Sequence, residues 1–232
     1  MTLDISTDNG LALLSLKRPP VNALDLPEIA ALDQAFRAIV KAPPAALVLT
    51  GAGSAFCAGV DTKAFLGYPK PKRHEMVLAI SRMVAALWAI PCPVVAAING
   101  HALGGGFVLM LGADWRLAAD SDDIKLGMTE AQAGVPFPAG PAAIIAREMP
   151  PTLLRQMTLA GLVLGPWDLM EARVLDGLCT PGELLAKSKA VARQLAGQRA
   201  FPTVKRQMRG PLAAQLDAIA KSGKDEFLES FG

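Results

Sequence analysis

The stretch that most constrains the fold of this chain is residues 91–115, PCPVVAAINGHALGGGFVLMLGADW. A short apolar run, Val94–Ile98, predicts a buried strand, and an Asn-Gly turn dipeptide follows it. Three glycines, residues 104–106, then precede an apolar block, which predicts a tight loop and a buried helix that starts near Gly105. Helix N-terminal N–H groups have no internal partner, and glycine lets a ligand approach them. The stretch therefore predicts a site for an anion, or for a carbonyl oxygen that becomes one in a transition state.

Glycines between two apolar runs also occur in close-packed turns that bind nothing, so this loop alone assigns no function. A P-loop is excluded because no Gly-Lys-Ser/Thr follows, and a dinucleotide site because the glycine spacing differs. A second loop, GAGSAFCAG at 51–59, leads into Val60 and Asp61 and also joins a strand to a helical segment. Two such loops can each offer one backbone N–H to a single oxygen, which is the usual construction of an oxyanion hole.

The composition limits the classes of protein to consider. Of the 232 residues 52% are hydrophobic, which argues against disorder. The 23 Lys and Arg residues nearly balance the 21 Asp and Glu residues, which favours neither nucleic acid nor a membrane surface as a partner. Three scattered cysteines indicate reduced thiols, and with two histidines no histidine-ligated metal site is expected. Neither a signal peptide nor a membrane-spanning run is recognised, so we expect a cytoplasmic protein.

The order of the predicted elements indicates an α/β fold. A β-hairpin is predicted at 3–16, a helix around 29–39 capped by Asp25, and a strand at 47–49. From there to a strand at Trp115–Ala119, strand and helix patterns alternate, which is typical of parallel strand–helix units. The polar run GYPKPKR at 67–73 predicts a mobile loop before a helix at about 74–90.

From Pro141 onward the pattern is helical. Lys205, Arg206 and Arg209 lie close together on one predicted helix. We interpret them as a solvated helix face, with phosphate binding as the alternative.

Three motifs resemble the crotonase superfamily, also called the enoyl-CoA hydratase/isomerase family: SAFCAGVDTKAF at 54–65, PVVAAINGHALGGG at 93–106, and ADWRLAAD with LGMTEAQAGVPFPAG at 113–140. The resemblance covers about residues 3–200 and implies a crotonase-like spiral of ββα units with a helical C-terminal part. It divides the chain into a core at 1–190 that binds the CoA ester and a helical region at 191–232 for trimerisation. It further implies an acyl-CoA thioester substrate, no cofactor apart from the coenzyme A of that substrate, and a homotrimer or a dimer of trimers.

The resemblance also implies the site residues. The N–H groups of Val60 and Gly105 would hold the thioester oxygen, and Glu130 would carry the proton. The residues expected to contact coenzyme A or the substrate are Asn22, Ala23, Leu24, Ala58, Asp61, Thr62, Lys63, Gly104 and Val108. Without the resemblance, Glu130 fits an ordinary glutamate in a first helical turn, and Asp61 with Lys63 fits a surface turn.

The expected reaction depends on the number of acids. Hydratases of the family use two glutamates on a water molecule, and one of them would fall at position 108, where this chain has valine. Glu130 matches the other glutamate. Its spacing from Asp114 along the sequence and the string PPVNALDL at 19–26 are most similar to those of single-glutamate 3,2-enoyl-CoA isomerases. We therefore predict isomerisation of a 3-enoyl-CoA. The alternatives are a hydratase or another acyl-CoA reaction, and a CoA-ester-binding paralogue without catalysis.

Overall fold

The chain begins with the expected hairpin. The computed structural model describes residues 3–231. Strands β1 (Leu3–Asp8) and β2 (Leu11–Leu16) pair antiparallel, and both turn residues between them, Asn9 and Gly10, have positive φ. Helix α1 (Leu26–Lys41) follows, and the Asp25 carboxylate accepts a hydrogen bond from the N–H of Glu28, which confirms the predicted cap.

A six-stranded sheet forms the centre of the molecule. After β1 and β2 it continues in the order β3 (Ala46–Gly51), β5 (Val94–Ile98), β7 (Trp115–Ala119) and β10 (Gly177–Cys179). All neighbours from β2 to β10 are parallel. Every residue of β5 is buried, as expected for a parallel strand covered on both faces.

A second, four-stranded sheet lies next to the first, in the order β4-β6-β8-β9. Its strands are two or three residues long: β4 (Ala55–Cys57), β6 (His101–Leu103), β8 (Leu126–Gly127) and β9 (Val163–Leu164). β3 is thus followed by β4, β5 by β6 and β7 by β8, and each pair leads into helix. The fold is the expected succession of ββα units, although the sequence pattern revealed none of the short strands because they show no period.

The helices that follow these strand pairs complete the core. They are α2 (Thr62–Gly67), α3 (Lys70–Trp88), α4 (Gly105–Leu111), α5 (Glu130–Ala133), α6 (Ala139–Glu148), α7 (Pro151–Leu159) and α8 (Pro166–Glu171). The prediction of a mobile loop at 67–73 is wrong for most of the segment, because α2 ends at Gly67 and α3 begins at Lys70, which leaves Tyr68 and Pro69 between the two helices. Pro71 lies in the first turn of α3, where proline loses no helical hydrogen bond.

Two C-terminal helices, α9 (Leu184–Ala196) and α10 (Phe201–Ser222), pack on the core. α9 lies on the central sheet and α10 lies on α3 and α6. The expected boundary at residue 190 falls inside α9, and the division at 190 stays a prediction. In residues 3–231 no helix combines the length and the apolar character needed to cross a membrane.

The interpretation of Lys205, Arg206 and Arg209 as a solvated face is wrong for two of the three. Lys205 Nζ lies 2.7 Å from Asp114 Oδ2, and Arg209 Nε lies 3.3 Å from Asp114 Oδ1. The Arg209 guanidinium also covers the Trp88 ring at 4.1 Å. Only Arg206 is exposed. These two cations are tolerated between α10 and the core because the Asp114 carboxylate pairs with both of them.

Candidate active site

Two loops that follow short strands meet at one end of the small sheet. The loop after β4 carries Gly59 and Val60, and the loop after β6 carries Gly104 and Gly105. A Cβ built on Gly59 would lie 2.9 Å from the Gly105 nitrogen, and one built on Gly105 would lie 3.9 Å from the Val60 nitrogen. Gly59 also has φ of 80°. The backbones approach so closely that a side chain at residue 59 would collide with the second loop.

The contact brings two backbone donors side by side. Asp61 N–H donates to Leu24 O, and Leu24 N–H donates to Gly59 O, so both neighbours of Val60 are held in place. In the part of the chain that the structure describes, neither the Val60 N–H nor the Gly105 N–H forms a hydrogen bond. Gly105 is the first residue of α4, where an N–H has no partner in its own helix. Two adjacent free donors suit one oxygen that gains negative charge.

Glu130, the first residue of α5, places its carboxylate beside this pair of loops. Its Oε1 lies 3.0 Å from the position that a Cβ on Gly104 would take. Its Oε2 is buried and has no hydrogen-bond partner among residues 3–231. Burial raises the pKa of Glu130 to about 7, against the opposing effect of the backbone N–H groups of Glu130 and Thr129. A carboxyl group with such a pKa can accept and return protons near neutral pH.

A cavity of about 350 Å³ opens in front of the two donors and the carboxylate. Within residues 3–231, the cavity is lined by Ala58, Val60, Thr62, Phe65, Leu66, Val77, Ile80, Gly104, Gly105, Val108, Thr129, Glu130, Ala133, Val135, Pro136, Phe137, Pro138, Pro141 and Phe231. Glu130 is the only ionisable side chain in this set. The remaining wall is mainly hydrocarbon, as is usual for sites that bind an apolar ligand group.

The structure brings seven of the predicted site residues to the cavity wall: Ala58, Val60, Thr62, Gly104, Gly105, Val108 and Glu130. The other five, Asn22, Ala23, Leu24, Asp61 and Lys63, lie outside its lining. Lys63 is exposed in the first turn of α2.

Asn22 and Asp61 shape the loops that carry the donors. Asn22 is buried with φ of 54°, and its amide donates to the carbonyl oxygens of Ala52 and Ala55. Asp61 caps α2 by accepting from Ala64 N–H. This hydrogen bond and the Arg18 guanidinium lower the pKa of Asp61.

Arg18 is a residue whose role the sequence analysis missed. Its guanidinium donates to Asp61 at 2.8 Å, to Asp25 at 3.2 Å and to the carbonyl of Ala23 at 3.0 Å. It therefore joins the caps of α1 and α2 directly behind the loop of Val60. One feature of the sequence could have indicated this role: Arg18 directly precedes the motif PPVNALDL at 19–26, which contains its partner Asp25.

The structure also shows the surroundings of several other residues, most of which belong to the sequence motifs. Phe65 and Phe137 line the cavity, whereas Trp88 lies in the core. Cys57 is buried, and burial raises the pKa of its thiol to about 12, so it is protonated at neutral pH. His101 Nδ1 accepts a hydrogen bond from Lys125 N–H. Phe231, at the far end of the chain, lines the cavity although nothing in its local sequence predicts this.

The ββα architecture is the crotonase fold, and solved structures share it. Enoyl-CoA hydratase EchA3 from Mycobacterium ulcerans superposes with a TM-score of 0.88 over 100% of both chains at 22% identity. An enoyl-CoA hydratase from Bacillus anthracis superposes with a TM-score of 0.84 at 26% identity, over 96% of this chain and 90% of that chain.

Sequence comparison agrees with the fold. A family model described as enoyl-CoA hydratase/isomerase matches residues 6–231, so the chain belongs to that family of enzymes. The probable enoyl-CoA hydratase EchA17 of Mycobacterium tuberculosis is 32% identical over 200 residues, which cover 82% of this chain and 73% of that protein. Carnitinyl-CoA dehydratase of Salmonella arizonae is 32% identical over 192 residues, with coverage of 82% and 72%.

Proposed function

We propose that the protein isomerises 3-enoyl-CoA esters to 2-enoyl-CoA esters with Glu130 as the only acid–base group. The observation that carries this proposal is the Glu130 carboxylate, whose Oε2 is buried and whose pKa is about 7. It lies beside two backbone N–H groups that form no hydrogen bond, in a cavity with no second ionisable side chain among its described lining residues. The substrate brings its own coenzyme A, and the reaction requires no other cofactor.

The chemistry follows from these groups. C2 of a 3-enoyl-CoA lies between the thioester carbonyl and the alkene, so its proton is acidic. Glu130 removes that proton as a general base, and the resulting charge spreads onto the thioester oxygen. The N–H groups of Val60 and Gly105 stabilise the oxygen. Protonated Glu130 then returns the proton to C4, which moves the double bond to C2–C3.

Val108 supports isomerisation over hydration. It is 1% exposed, lines the cavity and lies one turn into α4. A valine neither accepts a proton nor holds a water by charge. Water is therefore disfavoured on that side of the cavity, and the intermediate is protonated on carbon. For hydration, the loss of one of two acid–base partners costs about 10²- to 10⁴-fold in rate.

The second candidate function is hydration of a 2-enoyl-CoA or a related acyl-CoA reaction. Its support is the names of the relatives, a probable enoyl-CoA hydratase and a carnitinyl-CoA dehydratase. The third hypothesis is a protein that binds CoA esters without catalysis. It requires only the cavity and the two donors.

Assays of 2-enoyl- and 3-enoyl-CoA esters of several lengths distinguish these readings. We expect the wild type to convert 3-enoyl esters, and Glu130→Gln to abolish turnover while retaining CoA-ester binding. Glu75→Gln, on α3 and outside the cavity lining, is the matched control and should retain full activity. Binding without turnover of any ester by the wild type would leave only the non-catalytic reading.

Val108→Glu tests the choice of reaction. A second carboxylate facing Glu130 can hold a water between two acids, so we expect weak gained hydration of crotonyl-CoA and reduced isomerisation. Burial and the like charge of Glu130 also oppose its ionisation and lower stability. Hydration of crotonyl-CoA by the wild type at about 10 turnovers per second or more, an ordinary enzyme rate, would replace the isomerase proposal by the hydratase alternative.

A further inference from the structure

The segment from residue 225 to 231, which follows α10, returns to the cavity and is held at two polar contacts. The Asp225 carboxylate accepts a hydrogen bond of 2.8 Å from the N–H of Ala139, the first residue of α6. The Glu229 carboxylate lies 2.8 Å from Lys70 Nζ in the first turn of α3. The first contact is next to Pro138, which lines the cavity. The segment thus joins the two walls that α3 and α6 contribute.

Phe231 is the residue of this segment that enters the wall. Its side chain is 5% exposed, and it packs edge-to-face against Phe65 with the ring centroids 6.5 Å apart. Both rings line the cavity together with Val77 and Ile80 of α3. The Lys70–Glu229 ion pair is exposed and contributes little by itself. Burial of the Phe231 ring therefore contributes more than this ion pair to holding the segment on the cavity.

We propose that Phe231 determines the length of the acyl chain that the cavity accepts, because its ring occupies space between α2 and α3 that a longer hydrocarbon chain would fill. This inference rests on the proposed use of the cavity for the acyl part of a CoA ester.

The chemistry of the wall favours a plain hydrocarbon chain. Apart from Glu130, which lies beside Gly104, the polar side chains in the described lining are those of Thr62 and Thr129. No charged group is therefore available among these residues to pair with a charge on the acyl chain. In such a pocket the fit of each methylene decides affinity, at about 10- to 200-fold per methylene between a pocket that accommodates it and one that does not.

The same segment offers a matched control. Phe227 is also a phenylalanine but is 51% exposed and does not line the cavity. Truncation of Phe227 removes a ring of the same size from the same segment without enlarging the cavity. An effect specific to the cavity must therefore appear at Phe231 and be absent at Phe227.

The experiment measures dissociation constants of saturated acyl-CoA esters, from butanoyl-CoA to palmitoyl-CoA, by calorimetry. Saturated esters lack the alkene, so binding is read without turnover. We expect Phe231→Ala to raise the affinity ratio of long over short esters by about tenfold or more. Phe231→Trp, which keeps the packed ring if truncation unfolds the protein, should shift the preference to shorter esters, and Phe227→Ala should match the wild type.

Equal changes for all chain lengths, or the same shift in Phe227→Ala, would overturn the assignment of Phe231. So would a failure of every ester to bind the wild type. The proposed reaction fails separately: a chain-length shift without turnover of any enoyl-CoA by the wild type rejects catalysis but keeps this inference. Turnover with no shift in either Phe231 variant rejects the inference and keeps the reaction.

Discussion

At the scale of single residues, the proposed role of Glu130 predicts that activity depends on pH. Burial raises the pKa of Glu130 to about 7. Only the ionised form acts as a base, so kcat/KM for a 3-enoyl-CoA should fall about tenfold per pH unit below that pKa and level off above it. A pH–rate profile that is flat between pH 5 and 8 would contradict the role of Glu130 as base.

The same carboxylate should reduce stability as pH rises. The folded state binds its proton more tightly than the unfolded state, where the pKa is 4.5, so the free energy of unfolding decreases between about pH 4.5 and 7. At about 1.4 kcal/mol per pKa unit, the full effect is roughly 3 kcal/mol.

Urea unfolding of the wild type and of Glu130→Gln at pH 5 and pH 8 measures this effect. The glutamine side chain of the variant has no carboxyl proton to lose, so the variant should gain stability relative to the wild type by up to that amount at pH 8. A constant difference between the two proteins at both pH values would show that Glu130 ionises normally.

Gly105 tests the backbone donors directly. Gly105→Pro removes one N–H at the first position of α4, where proline is compatible with helix geometry. Turnover should fall about 10²-fold or more. Gly105→Ala is the control, because its Cβ would meet ordinary contacts of 3.7 to 3.9 Å and the N–H stays. An unchanged rate in folded Gly105→Pro protein would exclude this donor.

At the scale of elements, α10 is fastened to the core by a buried ion pair. Lys205 Nζ donates to Asp114 Oδ2 at 2.7 Å and to the Cys92 carbonyl at 2.9 Å. Lys205→Ala leaves the Asp114 carboxylate with the Arg209 guanidinium and the Val94 N–H as partners. The loss should therefore be measurable but smaller than the cost of about 3–5 kcal/mol for a buried charge left without any partner. Arg206→Ala, exposed on the same helix, should stay within about 0.5 kcal/mol of the wild type. Equal urea midpoints for the two variants would contradict the buried role.

The secondary-structure elements also show how much of the fold can be predicted from the sequence. The amphipathic helix α1 and the wholly buried strand β5 are predicted correctly, because burial of one helix face leaves a period and burial of a whole strand leaves a continuous apolar run. The small sheet is not, since strands of two or three residues show no period. The prediction for Lys205 and Arg209 is wrong because a charged side chain indicates solvent exposure unless its partner is known, and Asp114 lies 91 residues before Lys205 in the chain.

At the scale of the whole molecule, the site is assembled from segments far apart in the chain. The sequence motifs identified Val60, Gly105 and Glu130, which the structure brings to one cavity. Phe231 and Arg18 escaped prediction because their partners become neighbours only through folding. A local sequence pattern does not predict contacts between distant residues. A family motif does so when the loop that it contacts in the family is also recognised in the sequence.

Ligand binding should stabilise the molecule as a whole. A CoA ester that binds only the folded protein raises the free energy of unfolding by about 2.7 kcal/mol at a hundredfold excess over its dissociation constant. Thermal melting with crotonyl-CoA or acetyl-CoA measures this, with free adenosine as the control ligand. No shift of the melting temperature at millimolar ester would contradict the CoA-ester assignment.

The two donors of Val60 and Gly105 belong to the main chain, and this has a consequence for how such a protein evolves. A point substitution at either residue, proline excepted, leaves the N–H in place, so mutation rarely erases the proposed oxygen site. Side chains such as Val108 and Glu130 are free to vary around it. Descendants of one ancestor can therefore exchange one reaction for another while they keep the same two backbone donors.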